Sequence, residues 1–165
     1  MRNLINVSAL LALLGWASPC LAQDIKVSIV GLWKVVGDVN KVVATGEASH
    51  PFGEHPNGYQ LFSQGGHMMQ LICGEGRKAP SGQVPTEKER AELFNSLQAR
   101  SGQYEVSGTK VVIRFDGSES HSVNGSTRAY IVEINGSRMT LTAEPFIRPR
   151  TGQQVTAVLT LERAE

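Results

Sequence analysis

Short runs of alternating apolar and polar residues fill most of the chain after residue 30, separated by clusters of glycine, proline, asparagine and serine. A period of two is typical of half-buried β-strands, and Asn135-Gly136 between two such runs favours a tight hairpin. The runs predicted as strands, the first two joined near Val39-Asn40, are Trp33 to Asp38, Lys41 to Ala48, Tyr59 to Ser63, His67 to Cys73, Gln103 to Ser107, Lys110 to Phe115, Thr127 to Ile134, Arg138 to Ala143 and Val155 to Arg163. The pattern predicts an all-β chain folded as a single up-and-down antiparallel β-barrel of about 8–10 strands.

One segment departs from this alternation. Thr86-Glu87-Lys88-Glu89 has the form of a capping box, in which the threonine and the second glutamate satisfy backbone amides at a helix start. Leu93, Phe94 and Leu97 follow at a spacing that gives a helix one apolar stripe. The sequence therefore predicts one α-helix inserted between barrel strands.

Strand parity predicts how one end of the barrel is closed. Val155, Ala157, Leu159, Leu161 and Arg163 share one face of the last strand. On the first strand Trp33 and Val35 share a face, opposite Lys34 and Asp38. If these two strands are neighbours, Arg163 lies across the Trp33 ring in a cation–π contact worth about 0.5 to 2 kcal/mol. The alternative is that the two side chains occupy unrelated places.

The first 22 residues have the organisation of a secretory signal peptide. Arg2 precedes an apolar run from Leu4 to Trp16, and Cys20-Leu21-Ala22 provides a small-residue exit. The run is too short for a membrane span. We expect cleavage near Ala22, a mature domain over residues 23–165, and a periplasmic or secreted protein. Lipidation at Cys20 is the alternative, although Pro19 stands where a small residue is usual.

The charge balance of the chain indicates which kinds of partner to expect. The chain has 16 basic and 15 acidic residues, and removal of Arg2 with the leader leaves 15 of each. No basic stripe with interleaved aromatic residues is present in the sequence, so we expect no nucleic-acid partner. Cys73 is the only cysteine left in the mature chain, which excludes an internal disulfide.

Known metal and catalytic motifs are not found in this sequence. The histidines His50, His55, His67 and His121 lack the spacing to each other or to a carboxylate that metal sites commonly show. The sequence holds no nucleophile elbow, phosphate loop or dinucleotide fingerprint. We therefore predict no metal and no cofactor, and leave open whether the protein is an enzyme.

Arg128 is the sharpest candidate for ligand contact. It shares a strand face with Tyr130, so an inward Tyr130 would bring an inward guanidinium near the barrel mouth. A buried charge needs a partner, and a ligand carboxylate or phosphate would accept two hydrogen bonds from it. The alternatives are an internal salt bridge or the opposite parity, with Arg128 in solvent.

Several blocks of the sequence carry a family resemblance. Gly31-Leu32-Trp33 followed by Arg163 on the terminal strand resembles the lipocalin signature. The further blocks are His50 to Gly53, Asn57 to Tyr59, Gly65 to Met68, Ser101 to Val106, Arg138 to Thr142 and Ala157 to Arg163. Together they resemble the bacterial and fungal lipocalin-like domain family, which implies the barrel fold over about Val30 to Glu162. Because some related fungal barrels are implicated in cyclisation steps, the resemblance also keeps an enzyme as an alternative.

These observations lead to one function hypothesis and two alternatives. We expect an exported lipocalin-like barrel that binds a small, mainly apolar or amphipathic molecule, with an acidic group as one option. The residues predicted to contact the ligand are Trp33 at the floor, Arg128 as anion contact, and Tyr59, Leu61, Met68, Val111, Ile113, Tyr130 and Leu159 as walls. The alternatives are an isomerase or cyclase that uses Tyr59, His67 or Arg128, and a structural envelope module with a filled core. The sequence leaves the oligomeric state open.

Overall fold

The computed structural model of the protein describes residues 25–148 and 151–165, so the predicted signal peptide, residues 1–22, lies outside the described residues. A helical turn at residues 25–28 precedes the first strand. The elements that follow are β1 Gly31–Val42, β2 Ala48–Ser49, β3 Asn57–Phe62, β4 His67–Cys73, α1 Glu87–Asn95, β5 Leu97–Ser107, β6 Lys110–Ser118, a 3₁₀ turn His121–Val123, β7 Thr127–Asn135, β8 Arg138–Ala143, β9 Phe146–Ile147 and β10 Gln154–Arg163.

Eight long strands form a closed antiparallel barrel. Each of β1, β3, β4, β5, β6, β7, β8 and β10 pairs with the next in this order, and β10 pairs back onto β1. The two-residue strands β2 and β9 extend the sheet beside β1 and β10. Closure leaves no long edge exposed. The predicted all-β up-and-down barrel with one inserted helix is confirmed.

The two ends of the barrel differ in the length of their connections. Tight hairpins link β3 to β4, β5 to β6 and β7 to β8, and alternation of strand direction places all three at the end where β1 begins. Longer connections lie at the opposite end, and their described residues are 43–56, 74–96, 119–126, 144–148 and 151–153. We call the half of the barrel around Trp33 the closed half and the half around Asp38 the open half.

A predicted turn in the first part of the barrel is wrong. The sequence suggested two strands joined near Val39-Asn40, but β1 continues to Val42 because β10 pairs with it along almost its whole length. The chain instead turns at Gly46, whose φ of 73° lies in the region that glycine adopts without steric cost. There the amide of Gly46 donates to the carbonyl of Val42.

A β-bulge reverses the inward face of β1 halfway along the strand. The register with β10 shifts between Val35 and Gly37, so the extra residue changes which alternate positions point inward. Trp33 is fully buried below the shift, and Asp38 is 8% exposed above it. The prediction that Asp38 points away from the Trp33 face is therefore wrong. The bulge delivers a carboxylate to the barrel interior.

Apolar side chains fill the closed half. The buried cluster includes Ile29, Trp33, Phe62, Met68, Tyr104, Val111, Ile113, Met139 and Leu161. The rings of Phe62 and Tyr104 meet edge to face with centroids 5.0 Å apart. The Trp33 indole N–H donates to the carbonyl of Ile29 at 2.8 Å, and the Arg163 guanidinium lies across the ring, as predicted. This half therefore has a packed core.

The inserted helix is confirmed with its cap, but its apolar stripe is wrong. The Thr86 hydroxyl accepts from the Glu89 amide, and the Glu89 side chain accepts from the Thr86 amide. No side chain of α1 is buried, Phe94 is 51% exposed, and Leu97 belongs to β5. The helix is held by its cap and its loop contacts and not by core packing. Among the described residues no helix has the length and apolar character needed to cross a membrane.

Candidate functional site

A small cavity lies in the open half, under the longer connections. It offers about 80 Å³ of room for water-sized molecules, which corresponds to about five to eight water positions. The side chains around it are Asp38, Asn40, Pro51, Phe52, Gln70, Ile72, Gln98, Arg100, Glu119, Ser120, Val123, Arg128, Tyr130, Leu141, Phe146, Arg148, Ala157 and Leu159. The cavity is thus far more polar than the core beneath it.

Three guanidinium groups and two carboxylates line this cavity. Arg100 comes from β5, Arg128 from β7, and Arg148 follows β9, while Asp38 comes from β1 and Glu119 follows β6. With both carboxylates ionised the five groups sum to one positive charge. Positive charge inside a low-dielectric wall attracts anions more strongly than the same charge on an open surface.

Arg128 stacks against aromatic rings, and its N–H groups have no acceptor among the described residues. Its guanidinium carbon lies 3.5 Å from the ring centroid of Phe146 and 5.9 Å from that of Phe115. It makes no hydrogen bond or ion pair with another described residue. Stacking fixes the plane of a guanidinium while its edge stays available for a bidentate acceptor. Arg128 is therefore held by stacking, and no described residue accepts a hydrogen bond from its guanidinium.

Arg100 is more deeply buried and only loosely paired. Its Nε lies 3.8 Å from Glu119 Oε2, too far for a hydrogen bond, and this Nε has no other partner among the described residues. Burial lowers the pKa of Arg100, and the negative charge of Glu119 opposes this shift. Glu119 itself is fixed by the amide of Ala99 and the hydroxyl of Ser118, which both donate to its Oε2. Arg100 thus adds a second incompletely satisfied cation.

A second bulge places Arg100 and Glu119 at the site. The register between β5 and β6 shifts between Ser101 and Gly102. A Cβ on Gly102 would lie 2.3 Å from the carbonyl oxygen of Arg114, so only glycine fits this close approach. The irregularity lets Arg100 lie opposite Ser118 at the open end of the sheet.

Asp38 is a buried acid with a perturbed pKa. Burial raises the pKa of its carboxyl from 3.8 to about 6, opposed in decreasing order by Arg148, Arg100, His50 and Arg128. No described residue forms a hydrogen bond with its side chain, and the same holds for Asn40, which is 7% exposed on the same inward face of β1. Perturbed acids in a cavity are candidates for functional roles.

Beside these charges, three glutamine side chains on β3, β4 and β5 form a ladder of hydrogen bonds from strand to strand. Gln98 Nε2 donates to Gln70 Oε1 at 2.5 Å, and Gln70 Nε2 donates to Gln60 Oε1 at 2.7 Å. Gln60 is 1% exposed, and its Nε2 has no partner among the described residues. The ladder orients Gln70 and Gln98, which line the cavity.

The structure brings together only part of the predicted ligand set. Arg128, Tyr130 and Leu159 line the cavity. The residues Trp33, Met68, Val111 and Ile113 belong instead to the packed core of the closed half. The cavity is therefore confined to the open half, whereas the sequence suggested a cavity that reaches Trp33 in the closed half.

The predicted parity of β3 is wrong. Tyr59 and Leu61 are 45% and 38% exposed on the outer surface, whereas Gln60 and Phe62 are buried. His67 is exposed at the opposite end of the barrel, as the first residue of β4. Of the three residues suggested as alternatives for an isomerase or cyclase, Tyr59, His67 or Arg128, the cavity lining includes Arg128 and neither of the others.

Sequence reasoning missed most of the polar lining, although one signal was present. In the strand register, Gln60 on β3 lies opposite Gln70 on β4, and Gln70 lies opposite Arg100 on β5. Each shares a face with buried apolar residues, such as Phe62 beside Gln60. A polar residue on an otherwise apolar strand face is informative because burial of a polar group is costly without a partner. In residues 25–148 and 151–165, no group of three or more His, Cys, Asp or Glu side chains is placed to hold a metal ion.

Comparison with known proteins supplies a family. The model of the lipocalin-like domain family matches residues 30–164. No curated protein matches the chain. Among solved structures, the crystal structure of a mutant of the fluorescent protein UnaG is similar at 15% sequence identity, with a TM-score of 0.37, and covers 83% of this chain and 96% of its own.

Proposed function

The chain belongs to the lipocalin-like domain family, and we propose that its barrel binds one small organic anion in the cavity of the open half. The observation that carries this proposal is the state of Arg128, which is stacked on Phe146 and has no hydrogen bond or ion pair to another described residue. Arg100 and Arg148 line the same cavity. A carboxylate would satisfy donors that are otherwise open.

The size and lining of the cavity support a compact ligand over a long one. About 80 Å³ accommodates a molecule of about five to eight non-hydrogen atoms and not a fatty acid. Apolar contact is available from Phe146, Leu141 and Leu159, while the guanidinium groups face the charged end. We therefore propose a small acid with a short apolar part, in place of the mainly apolar molecule expected from the sequence.

The proposal predicts that binding depends on one guanidinium. Isothermal titration of the protein with sodium propionate and sodium lactate measures Kd for the unaltered chain and for Arg128→Gln. Loss of a hydrogen bond to a charged group, about 1.5 to 3 kcal/mol, corresponds to a Kd increase of roughly 10- to 150-fold. Arg114→Gln is the matched control, since Arg114 is exposed on the outer face of β6.

Two results would contradict this function. Unchanged Kd in Arg128→Gln would place the anion elsewhere. No binding of either acid at tens of millimolar would leave the structural module with a filled core as the better account, since the closed half is already packed.

We also propose export, on the sequence argument alone. Arg2, the apolar run that follows and the exit at Ala22 have the organisation of a cleaved leader. Intact mass of the protein recovered from outside the cytoplasm should correspond to a chain that begins at Gln23. A diacyl mass on Cys20 would show a membrane-anchored lipoprotein instead.

A further inference from the structure

We propose that Asp38 and Asn40 make this site selective for small acids that also carry a hydrogen-bond donor, such as a hydroxyl or an ammonium group. The inference rests on the proposed anion site and names the ligand class that the site prefers. Simple carboxylic acids of the same size would bind more weakly.

The placement of these two side chains is the first support. The bulge at Gly37 turns both inward on β1, and they are 8% and 7% exposed. Both line the cavity, and neither makes a side-chain hydrogen bond with another described residue. Their polar atoms open onto the cavity and are not used by the fold, so they are available to a molecule bound there.

The chemistry of the opposing groups is the second support. Guanidinium groups only donate hydrogen bonds, so Arg100, Arg128 and Arg148 match the carboxylate of a ligand. An ionised Asp38 only accepts hydrogen bonds and repels a second carboxylate. A ligand that brings a carboxylate alone therefore leaves Asp38 unsatisfied, whereas one with a hydroxyl or ammonium group satisfies both sides of the cavity.

The surroundings of Asp38 determine the pH at which this selectivity is tested. The charged or titratable groups that face it or the same cavity are Arg100, Arg128, Arg148, His50, Glu119 and Tyr130. Burial raises the pKa of Asp38 to about 6, so at pH 8 its carboxyl is an acceptor and at pH 5 it is mostly protonated. A protonated carboxyl can donate to a ligand carboxylate, so the preference for a donor-bearing acid should weaken at pH 5.

The test compares matched ligands that differ by one hydroxyl. Isothermal titration of the full chain at pH 8 measures Kd for lactate against propionate and for glycolate against acetate. We expect each hydroxy acid to bind about tenfold more tightly than its partner, the effect of one hydrogen bond to a charged group. Asp38→Asn should reduce this ratio to about twofold, and Asn40→Ala should reduce it in part.

The control and the outcomes separate this inference from the function on which it rests. Asp116→Asn, an exposed carboxylate on β6, should leave the ratio unchanged. Equal affinity of hydroxy and plain acids in the unaltered protein would overturn the inference while the anion site stands, and would assign Asp38 to balancing the arginine charges. Absence of binding by all four acids would overturn both. The ratio in the unaltered chain decides the question even if a variant fails to fold.

Discussion

The guanidinium carbon of Arg163 lies 4.1 Å from the ring centroid of Trp33, and the two residues are direct partners in the β1–β10 ladder that closes the barrel. The same guanidinium donates to the carbonyl oxygens of Val30, at 3.2 Å, and Ser28. Arg163 thus ties the entering chain, the first strand and the last strand together over a fully buried indole. At the closed end, the Arg163 guanidinium combines a cation–π contact with two hydrogen bonds to backbone carbonyls.

Truncation of the Trp33 or the Arg163 side chain should destabilise the protein. We expect Trp33→Ala to lower the free energy of unfolding by about 3 to 5 kcal/mol, the usual range for a buried aromatic residue. Arg163→Ala should cost less, and Arg138→Ala, an exposed arginine on the adjacent strand β8, should cost less still. Urea unfolding monitored by circular dichroism measures all three. A loss below about 1 kcal/mol for Trp33→Ala would show that the indole is not part of the core.

Asp38 should make stability depend on pH in a defined window. Its folded pKa of about 6 exceeds the ordinary value of 3.8, so the folded protein binds more protons between these values than the unfolded chain. Stability from this group therefore falls as pH rises from about 4 to 6, by up to about 3 kcal/mol. Asp38→Asn removes the titration.

The measurement is the difference in unfolding free energy between Asp38→Asn and the unaltered protein, from urea titrations at pH 4, 5, 6 and 8. The variant should gain stability relative to the unaltered protein up to about pH 6 and then keep a constant advantage. A difference that does not change with pH would show that Asp38 titrates normally.

The largely buried ion pair between Arg100 and Glu119 should contribute more to stability than an ion pair on the surface. Glu119→Gln removes the strongest negative charge that acts on buried Arg100, for which the expected cost is at most about 3 to 5 kcal/mol. Glu144→Gln breaks the exposed Lys110–Glu144 pair, which has a shorter distance of 2.6 Å, and should cost about 0 to 1 kcal/mol. Thermal and urea unfolding compare the two. Similar losses would mean that Arg100 is already hydrated and does not depend on Glu119.

The sequence predicted the barrel well because its determinants are local. Val155, Leu159 and Leu161 recur at every second or fourth position of β10 and are buried, and the turn residues at Asn135-Gly136 favour a hairpin wherever the strands lie. The Trp33–Arg163 contact followed from the same parity once the first and last strands were taken as neighbours. The helix start was equally local, since its capping box lies within four residues.

The site could be predicted only in part because it depends on irregularities that parity cannot show. Nothing in the alternation around Gly37 indicates which residue is the extra one, so the inward turn of Asp38 was missed. On β3, apolar residues occupy both faces, and Tyr59 and Leu61 were as plausible inside as Phe62. The choice is made by long-range packing with Met68 and the other core residues, which a single strand does not contain.

The most direct test of the central claim follows the arginine side chains themselves during titration with sodium lactate. In ¹H–¹⁵N NMR spectra the Nε–H signals of Arg128 and Arg148 should shift saturably with one common Kd, because their guanidinium groups bind the carboxylate. The Nε–H signal of exposed Arg114 should stay in place. Shifts that are equal for Arg114 and Arg128, or that never saturate, would contradict an anion site in the barrel.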